Sequence, residues 1–433
     1  MNLTKLTDLI PTEPEIKKIG SKHTKILASV NTAKCIALNK NKGAEKFINY
    51  ALASIDELHQ REIGVRALIY AHCAEAYSII GDNKSAVSYA DLTVKEIMKA
   101  KSRTSIRYHD KIIISIARAG VNLNNTGLID TAGKLCNKAR DRNYLISGLC
   151  CLGESYALLG ETKNRRRFVE PRDIFYRNTI KKALAAMDDA QHAMQKRNFY
   201  IEELGYRLGD IGMTIAKIGE ISKDIGIIAS AAAATVTLGK LVEKRIDEKF
   251  REYEIDEPDT DFSYERKTEY AECVMPASMR VVAAEVCALL KIGRSDDAKV
   301  LIDGAREFWD SGIVQEYNKM GMEFFGNYAF CALVELAEMF YKINDEKLAM
   351  EILKYPQDYF FGEPHRMGWL YHIGSLPALI KMVQLLEDTG DKNAEKIINK
   401  IYDEIKCKDA DSKAGMLSEI LFLIQKTKNK NQK

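Results

Sequence analysis

The chain has 433 residues, 46% of them hydrophobic, with only 8 prolines and a formal charge of +3. That length can bury a large core or build an extended repeat array, and a chain rich in Ala, Leu, Ile, Lys and Glu with few breakers favours helix throughout. Near-neutral charge excludes a protein that grips a polyanion with its whole surface, and no stretch alternates in the way of a β-strand.

The N-terminal stretch "MNLTKLTDLIPTEPEIKK" lacks the apolar centre of a signal peptide, so residues 1–23 are read as a leader. Nine cysteines, an odd number with no C-x-x-C pair, fit free thiols in a reducing compartment, and the expected location is cytoplasmic. From residue 24 a unit recurs. "AEAYSIIGDNKSA" (Ala74 to Ala86) aligns with "GESYALLGETKNR" (Gly153 to Arg165) and with "AEMFYKINDEKLA", anchored on Gly81, Gly160 and Asn344. Weaker copies are anchored on Asn39, Asn124, Gly219, Gly293 and Gly390.

Positions eight, seven, four and one before each anchor share one helical face at period 3.6. The small residue at minus seven admits a neighbouring helix, and the aromatic at minus four fills the adjacent gap. Glycine or asparagine at the anchor takes a left-handed backbone and ends the helix, and an alanine five residues later starts a second helix that packs back on the first. Each unit is thus a helical hairpin whose apolar face is buried by its neighbours.

"CLGESYALLG" resembles the first helix of a tetratricopeptide repeat, through Leu152, Gly153, Tyr156 and Gly160, and the Gly81 unit resembles it through Ala74, Tyr77, Gly81 and Ala86. Arg165 stands where that family prefers alanine, the closing proline is missing, and most spacings exceed the family's repeat length. The resemblance implies an all-α fold, an α-solenoid of stacked helical hairpins forming a divergent tetratricopeptide-like superhelix. The expected division is repeats at 24–257, an acidic linker at 258–263, repeats at 264–425 and a disordered basic tail at 426–433. The uncharged stretch Ile225 to Gly239 is too short to span a bilayer and reads as a closely packed buried helix.

Cys35, Cys73, Cys150 and Cys151 fall on packing positions, where thiols act as small apolar groups. Ser155 sits inside a repeat helix with no strand before it, which argues against a nucleophile elbow, and no glycine-lysine-serine run forms a phosphate loop. The acidic segment around Asp256, Asp259 and Asp261 lacks the glycine and final glutamate of a calcium loop. Neither a metal nor a cofactor is expected.

The resemblance places positions ten, six and three before each anchor on a concave groove, and the residues at minus six are Glu75, Arg118, Glu154 and Glu338. Family members that hold acidic peptide C-termini use lysine and asparagine there, so these residues suit a partner with basic and apolar side chains. The expected function is therefore a non-enzymatic interaction scaffold that binds a protein or peptide in this groove, with no membrane partner. A nucleic-acid or phosphate-ligand binder is the alternative, using Arg165, Arg166, Arg167, Arg172, Arg177, Lys181 and Lys182 with interleaved Phe168, Phe175 and Tyr176. A third reading, a helical enzyme or ligand sensor, would use Glu363, His365 and His372.

Overall fold

A computed structural model describes residues 6–39, 43–55, 58, 62–99, 108–138, 145–165, 171–196, 201–256, 263–312, 327–362 and 375–431. Every regular element among them is a helix. The chain divides into two compact units, residues 1–155 with 383–433 and residues 156–382.

The first unit holds α1 (Glu13–Lys17), α2 (Lys22–Leu38), α3 (Ala44–Ile55), α4 (Ile63–Ile80), α5 (Asn83–Lys99), α6 (His109–Asn122) and α7 (Thr126–Lys138). It also takes the start of α8 (Ile146–Arg165), the end of α16 (Ser375–Asp388), α17 (Asn393–Lys406) and α18 (Ala410–Asn431). Helices pair as α2 with α3, α4 with α5 and α6 with α7, and the first members α2, α4 and α6 lie side by side. The second unit holds the rest of α8 and α16, with α9 (Pro171–Lys196), α10 (Ile201–Ser222), α11 (Ile225–Asp256), α12 (Ser263–Lys291), α13 (Ser295–Asp310), α14 (Asn327–Lys342) and α15 (Glu346–Gly362). The same arrangement recurs there, with α10–α11, α12–α13 and α14–α15 paired, and α12 packed between α10 and α14.

One turn joins the paired helices repeatedly. Gly81, Asn124, Lys223, Gly293, Asn344 and Gly390 all have left-handed φ, from 52° at Asn124 to 92° at Gly81. In each case the following residue's N–H donates to the carbonyl four residues before the turn residue, as in Asp82 to Tyr77 (3.0 Å), Asp224 to Gly219 (3.0 Å) and Asp345 to Phe340 (2.9 Å). This double closure of the helix end is the Schellman pattern. The next residue then caps the second helix, since Asp82, Asn125, Asp224, Asp345 and Asp391 accept backbone N–H bonds through their side chains.

Five of the expected anchors are therefore turn residues, and three are not. Asn39 ends α2 with φ −83°. Gly160 lies inside α8, which runs on to Arg165, and Gly219 lies inside α10, whose turn is at Lys223. Gly219 serves close packing instead. A Cβ there would sit 2.5 Å from Ile228 Cγ1 and 2.7 Å from the Ile228 nitrogen. Gly120, in the corresponding place before Asn124, would meet Ile129 Cγ1 at 2.4 Å.

The hairpins thus conserve volume in two ways. Tyr77, Leu289 and Phe340, four residues before their turns, are matched by Ala86, Ala298 and Ala349 five residues after them. Gly120 and Gly219 are matched by Ile129 and Ile228 at the same offsets, and all of the matching residues are buried. Large opposite small, or small opposite large, fills the same gap between two close helices. Tyr77 also stacks on Tyr89 of α5, with ring centroids 5.4 Å apart.

Several expectations change with the tertiary arrangement. Residues 6–23 of the expected leader belong to the fold: Leu6 and Ile16 are buried, and α1 is capped by Thr12 donating its N–H to Glu15 Oε2 at 2.7 Å. Both chain ends belong to one unit, because α18 returns to pack on α2. The expected acidic linker falls within the second unit instead, and its residues 258–262 lie outside the described residues. Residues 426–431, expected to be disordered, continue α18, in keeping with the good helix propensity of its three lysines there. The stretch from Ile225 is less than half buried. α11 packs Ile228, Ala231, Leu238 and Val242 inward and leaves Val236 exposed, and its residues Ile225–Arg251 are long and apolar enough, by length and composition, to cross a membrane.

Candidate partner-binding groove

In the first unit, the neighbouring helices α2, α4 and α6 bring Lys34, His72, Glu75, Ser115 and Arg118 together. Glu75, from α4, is 2% exposed. Its Oε2 accepts from Lys34 Nζ at 3.1 Å and from Ser115 Oγ at 3.0 Å, and its Oε1 lies 3.5 Å from an Arg118 nitrogen. Burial alone would raise the Glu75 carboxyl, yet Lys34, His72 and Arg118 outweigh it and hold the group well below the ordinary carboxylate range. His72 is driven the other way, by burial and by the Lys34 charge, to about 4, so at neutral pH its ring is uncharged. Its Nδ1 is 2.9 Å from Ser115 Oγ and 3.3 Å from Lys34 Nζ, close to both hydrogen-bonding groups.

The face that carries Arg118 is covered. α18 lies on α2 and carries Glu419, whose two oxygens accept from the Arg118 guanidinium at 3.0 and 3.1 Å. The same guanidinium sits 4.1 Å from the Phe422 ring centroid. Burial works against the Arg118 charge, but Glu419 and Glu75 more than offset it and raise its pKa further. Cys35 Sγ donates to the Ala414 carbonyl at 3.6 Å, and Lys413 pairs with Glu15 at 3.5 Å. Leu417, Leu421 and Ile424 of α18 are buried, and Glu419 keeps 33% of its side chain exposed. Two cations thus meet two carboxylates, one of which belongs to the covering helix.

Glu75 and Arg118 are brought together as their shared offset from the turn implies. The charge they present differs from expectation, because Lys34 engages Glu75 and leaves Arg118 facing the occupant. The occupant accordingly offers a carboxylate and an aromatic ring instead of a cation. Lys34 escaped the sequence reading because it lies five residues before Asn39, off the register of its counterparts. Glu419 lies 301 residues from Arg118, and nothing local links them.

In the second unit the first helices carry a related set of charges. Glu338 of α14 pairs with Lys342 one turn on and with Lys381 of α16 at 2.8 Å, and Lys381 also pairs with Glu335. Burial opposes ionisation of Glu338, but the two lysines keep it well below the usual range. Lys217 of α10 and Lys291 of α12 converge on Glu220 at 2.6 and 3.0 Å, and Arg280 of α12 reaches Asp210 of α10 at 3.0 Å. With Lys223 as the turn residue, Lys217 occupies the minus-six position, which the misplaced Gly219 anchor had hidden. Lys291 and Lys342 remain exposed.

The other candidates are scattered. Glu154 is half-buried on α8, and Ser155 donates its hydroxyl to the Cys151 carbonyl at 2.7 Å within the same helix. Of the basic segment, Lys181 and Lys182 are exposed on α9, with Lys182 Nζ 5.2 Å from the Tyr156 ring. Arg165, Arg172 and Arg177 lie on helices without described side chains, and Arg166 and Arg167 lie outside the described residues. So do Glu363, His365 and His372, and so do Asp259 and Asp261.

Chemically, the described cysteines form no disulfide, and burial pushes the thiols of Cys35 and Cys331 up to about 12, so both are protonated and poorly nucleophilic. Among the described residues no group of three histidine, cysteine or carboxylate side chains is placed to hold a metal ion. The arrangement in the first unit can recognise a helix that brings a carboxylate and an aromatic ring to Arg118. No protein-family model matches this chain, and no curated protein matches it.

Proposed function

We infer that the chain is a non-enzymatic interaction scaffold, a tetratricopeptide-like α-solenoid that binds a protein or peptide helix along the first helices of its hairpins. The observation that carries this reading is that a helix, α18, already packs on α2 and reaches α6 through the paired Arg118–Glu419 contact. The repeated turn supports the repeat architecture, since it sets each first helix beside the next and aligns the minus-six side chains on one face. The charged groups of α10, α12 and α14 extend the same recognition chemistry to the second unit, where Lys291 and Lys342 are exposed. Ion pairs of this kind contribute more to partner choice than to affinity.

The test is site-specific. A photo-crosslinking residue at Lys342 of the full-length chain, activated in the cells that make it, should join one protein, and the crosslinked peptide should come from a helix. Glu338→Lys should remove that crosslink while leaving the circular dichroism spectrum unchanged. Crosslinks to many proteins at equal yield, or a crosslink indifferent to Glu338→Lys, would rule out this face as a recognition surface.

A further inference from the structure

We propose that α18 is a strap that fills a helix-binding groove in cis, and that the partner is a protein helix carrying a glutamate and an aromatic side chain at the spacing of Glu419 and Phe422. This rests on the scaffold reading and adds to it both the chemistry of the partner and the way access is controlled.

The construction of the contact points to an exchangeable occupant. α18 is joined to α17 by the short connection Cys407–Asp409 and packs on α2. Beyond α2 it is held by the Lys413–Glu15 pair at 3.5 Å and by Arg118, which grips Glu419 with two nitrogens and covers the Phe422 ring. The Arg118 contacts lie on one helical turn, since residues three apart face the same way. Its buried stripe runs through Ala414, Leu417, Ser418, Ile420, Leu421 and Ile424 at helical spacing.

Charge then specifies what can replace it. With α18 lifted away, Lys34 and Arg118 would share the single carboxylate of Glu75, which Lys34 already engages at 3.1 Å. An unpaired guanidinium on a dry face is costly, so the groove disfavours any incoming helix that brings no carboxylate to that point. Ala414 adds a further requirement. It is fully buried and its carbonyl receives the Cys35 thiol, so an incoming helix must present a small residue five positions before its glutamate. The recognised pattern is small–x–x–x–x–Glu–x–x–aromatic on an amphipathic helix, as in Ala414, Glu419 and Phe422.

The test uses a fluorescent synthetic peptide of residues 410–431 and three forms of the full-length chain. Wild-type protein holds its own strap and should bind the peptide weakly. Glu419→Ala with Phe422→Ala loosens the strap without touching the groove and should bind the peptide about tenfold more tightly. Adding Arg118→Ala to that variant should abolish the gain. Equal binding by wild-type and loosened chains, or a gain that survives Arg118→Ala, overturns the proposal.

Hydrogen exchange on the unaltered protein provides a second measurement that no folding defect can confuse. Amides of α18 should exchange about tenfold faster than those of α2 and α4. Identical protection would mean that α18 opens only when the whole unit unfolds, and the strap would be refuted. Crosslinking from Lys342 in the second unit reads the scaffold function separately, so failure of the strap and failure of the scaffold give different results.

Discussion

Glu75→Gln keeps the shape of the side chain and removes its charge, and the geometry lets the consequence be worked out. The Glu75 carboxylate faces Lys34 at 3.1 Å and Arg118 at 3.5 Å. With an effective dielectric constant of about 20, each such contact is worth roughly 5 kcal/mol before the cost of desolvation is subtracted. Breaking a buried pair by removing one partner typically costs about 3–5 kcal/mol, and that is the expected loss here. Lys34→Met in the same chain removes the stranded ammonium and leaves Arg118 balanced by Glu419, so the double variant should recover about 2 kcal/mol or more. Hydrogen exchange of the most protected α2 and α4 amides reads this directly, because both helices lie in the first unit.

The pH dependence gives the same substitution a second signature. The folded Glu75 carboxyl lies below its ordinary value of 4.5, so its contribution is complete above pH 4.5 and fades as pH falls towards the lower folded value. The gap between wild type and Glu75→Gln should therefore close on acidification below pH 4.5. His72, depressed from 6.5 to about 4, adds its own acid-side loss between those values in the wild type. A Glu75→Gln protein within about 1 kcal/mol of wild type at pH 7, or no recovery with Lys34→Met, would show that the cluster carries no net stabilisation and refute the reasoning.

Three further substitutions probe packing and a buried acid. Gly120→Ala should destabilise the first unit by about 1–3 kcal/mol despite the better helix propensity of alanine, because its Cβ meets Ile129 Cγ1 at 2.4 Å. Ile129→Ala alone should cost about 2–5 kcal/mol, while the pair together should cost less than the sum of the two; strictly additive urea midpoints would contradict the volume exchange. In the second unit, burial pushes the Glu285 carboxyl up to about 7, although Oε1 accepts the Ala232 N–H at 2.9 Å. Its folded value lies above the ordinary 4.5, so its stabilising effect is complete below pH 4.5 and is lost as pH rises through 7. Glu285→Gln should be more stable than wild type at pH 8, by roughly 1–3 kcal/mol, and thermal melts across pH 5–8 that superimpose would count against an ionisable buried acid.

Much of the local structure was legible because a turn imposes its demand on a few adjacent residues. Gly81, Asn124, Gly293, Asn344 and Gly390 announced themselves, since a left-handed φ selects glycine or asparagine and the apolar period stops beside them. Lys223 did not, because lysine is an ordinary helix residue with no preference for that conformation. Gly219 misled for the complementary reason. Glycine is needed either for positive φ or for close approach, and only the position of Ile228 decides between the two.

The amino-acid sequence by itself determined the all-helical class, most hairpin turns and the faces that carry Glu75, Arg118 and Glu338, because each depends on contacts within one or two helical turns. Only the tertiary structure decided what lies against those faces. Lys34 meets Glu75 across 41 residues, Glu419 meets Arg118 across 301, and Lys381 meets Glu335 across 46. Periodicity tells which side of a helix is buried, but any apolar stripe of the right width can cover it. That α18 covers the face carrying Glu75 and Arg118, and brings a carboxylate to it, follows from which helices meet in space.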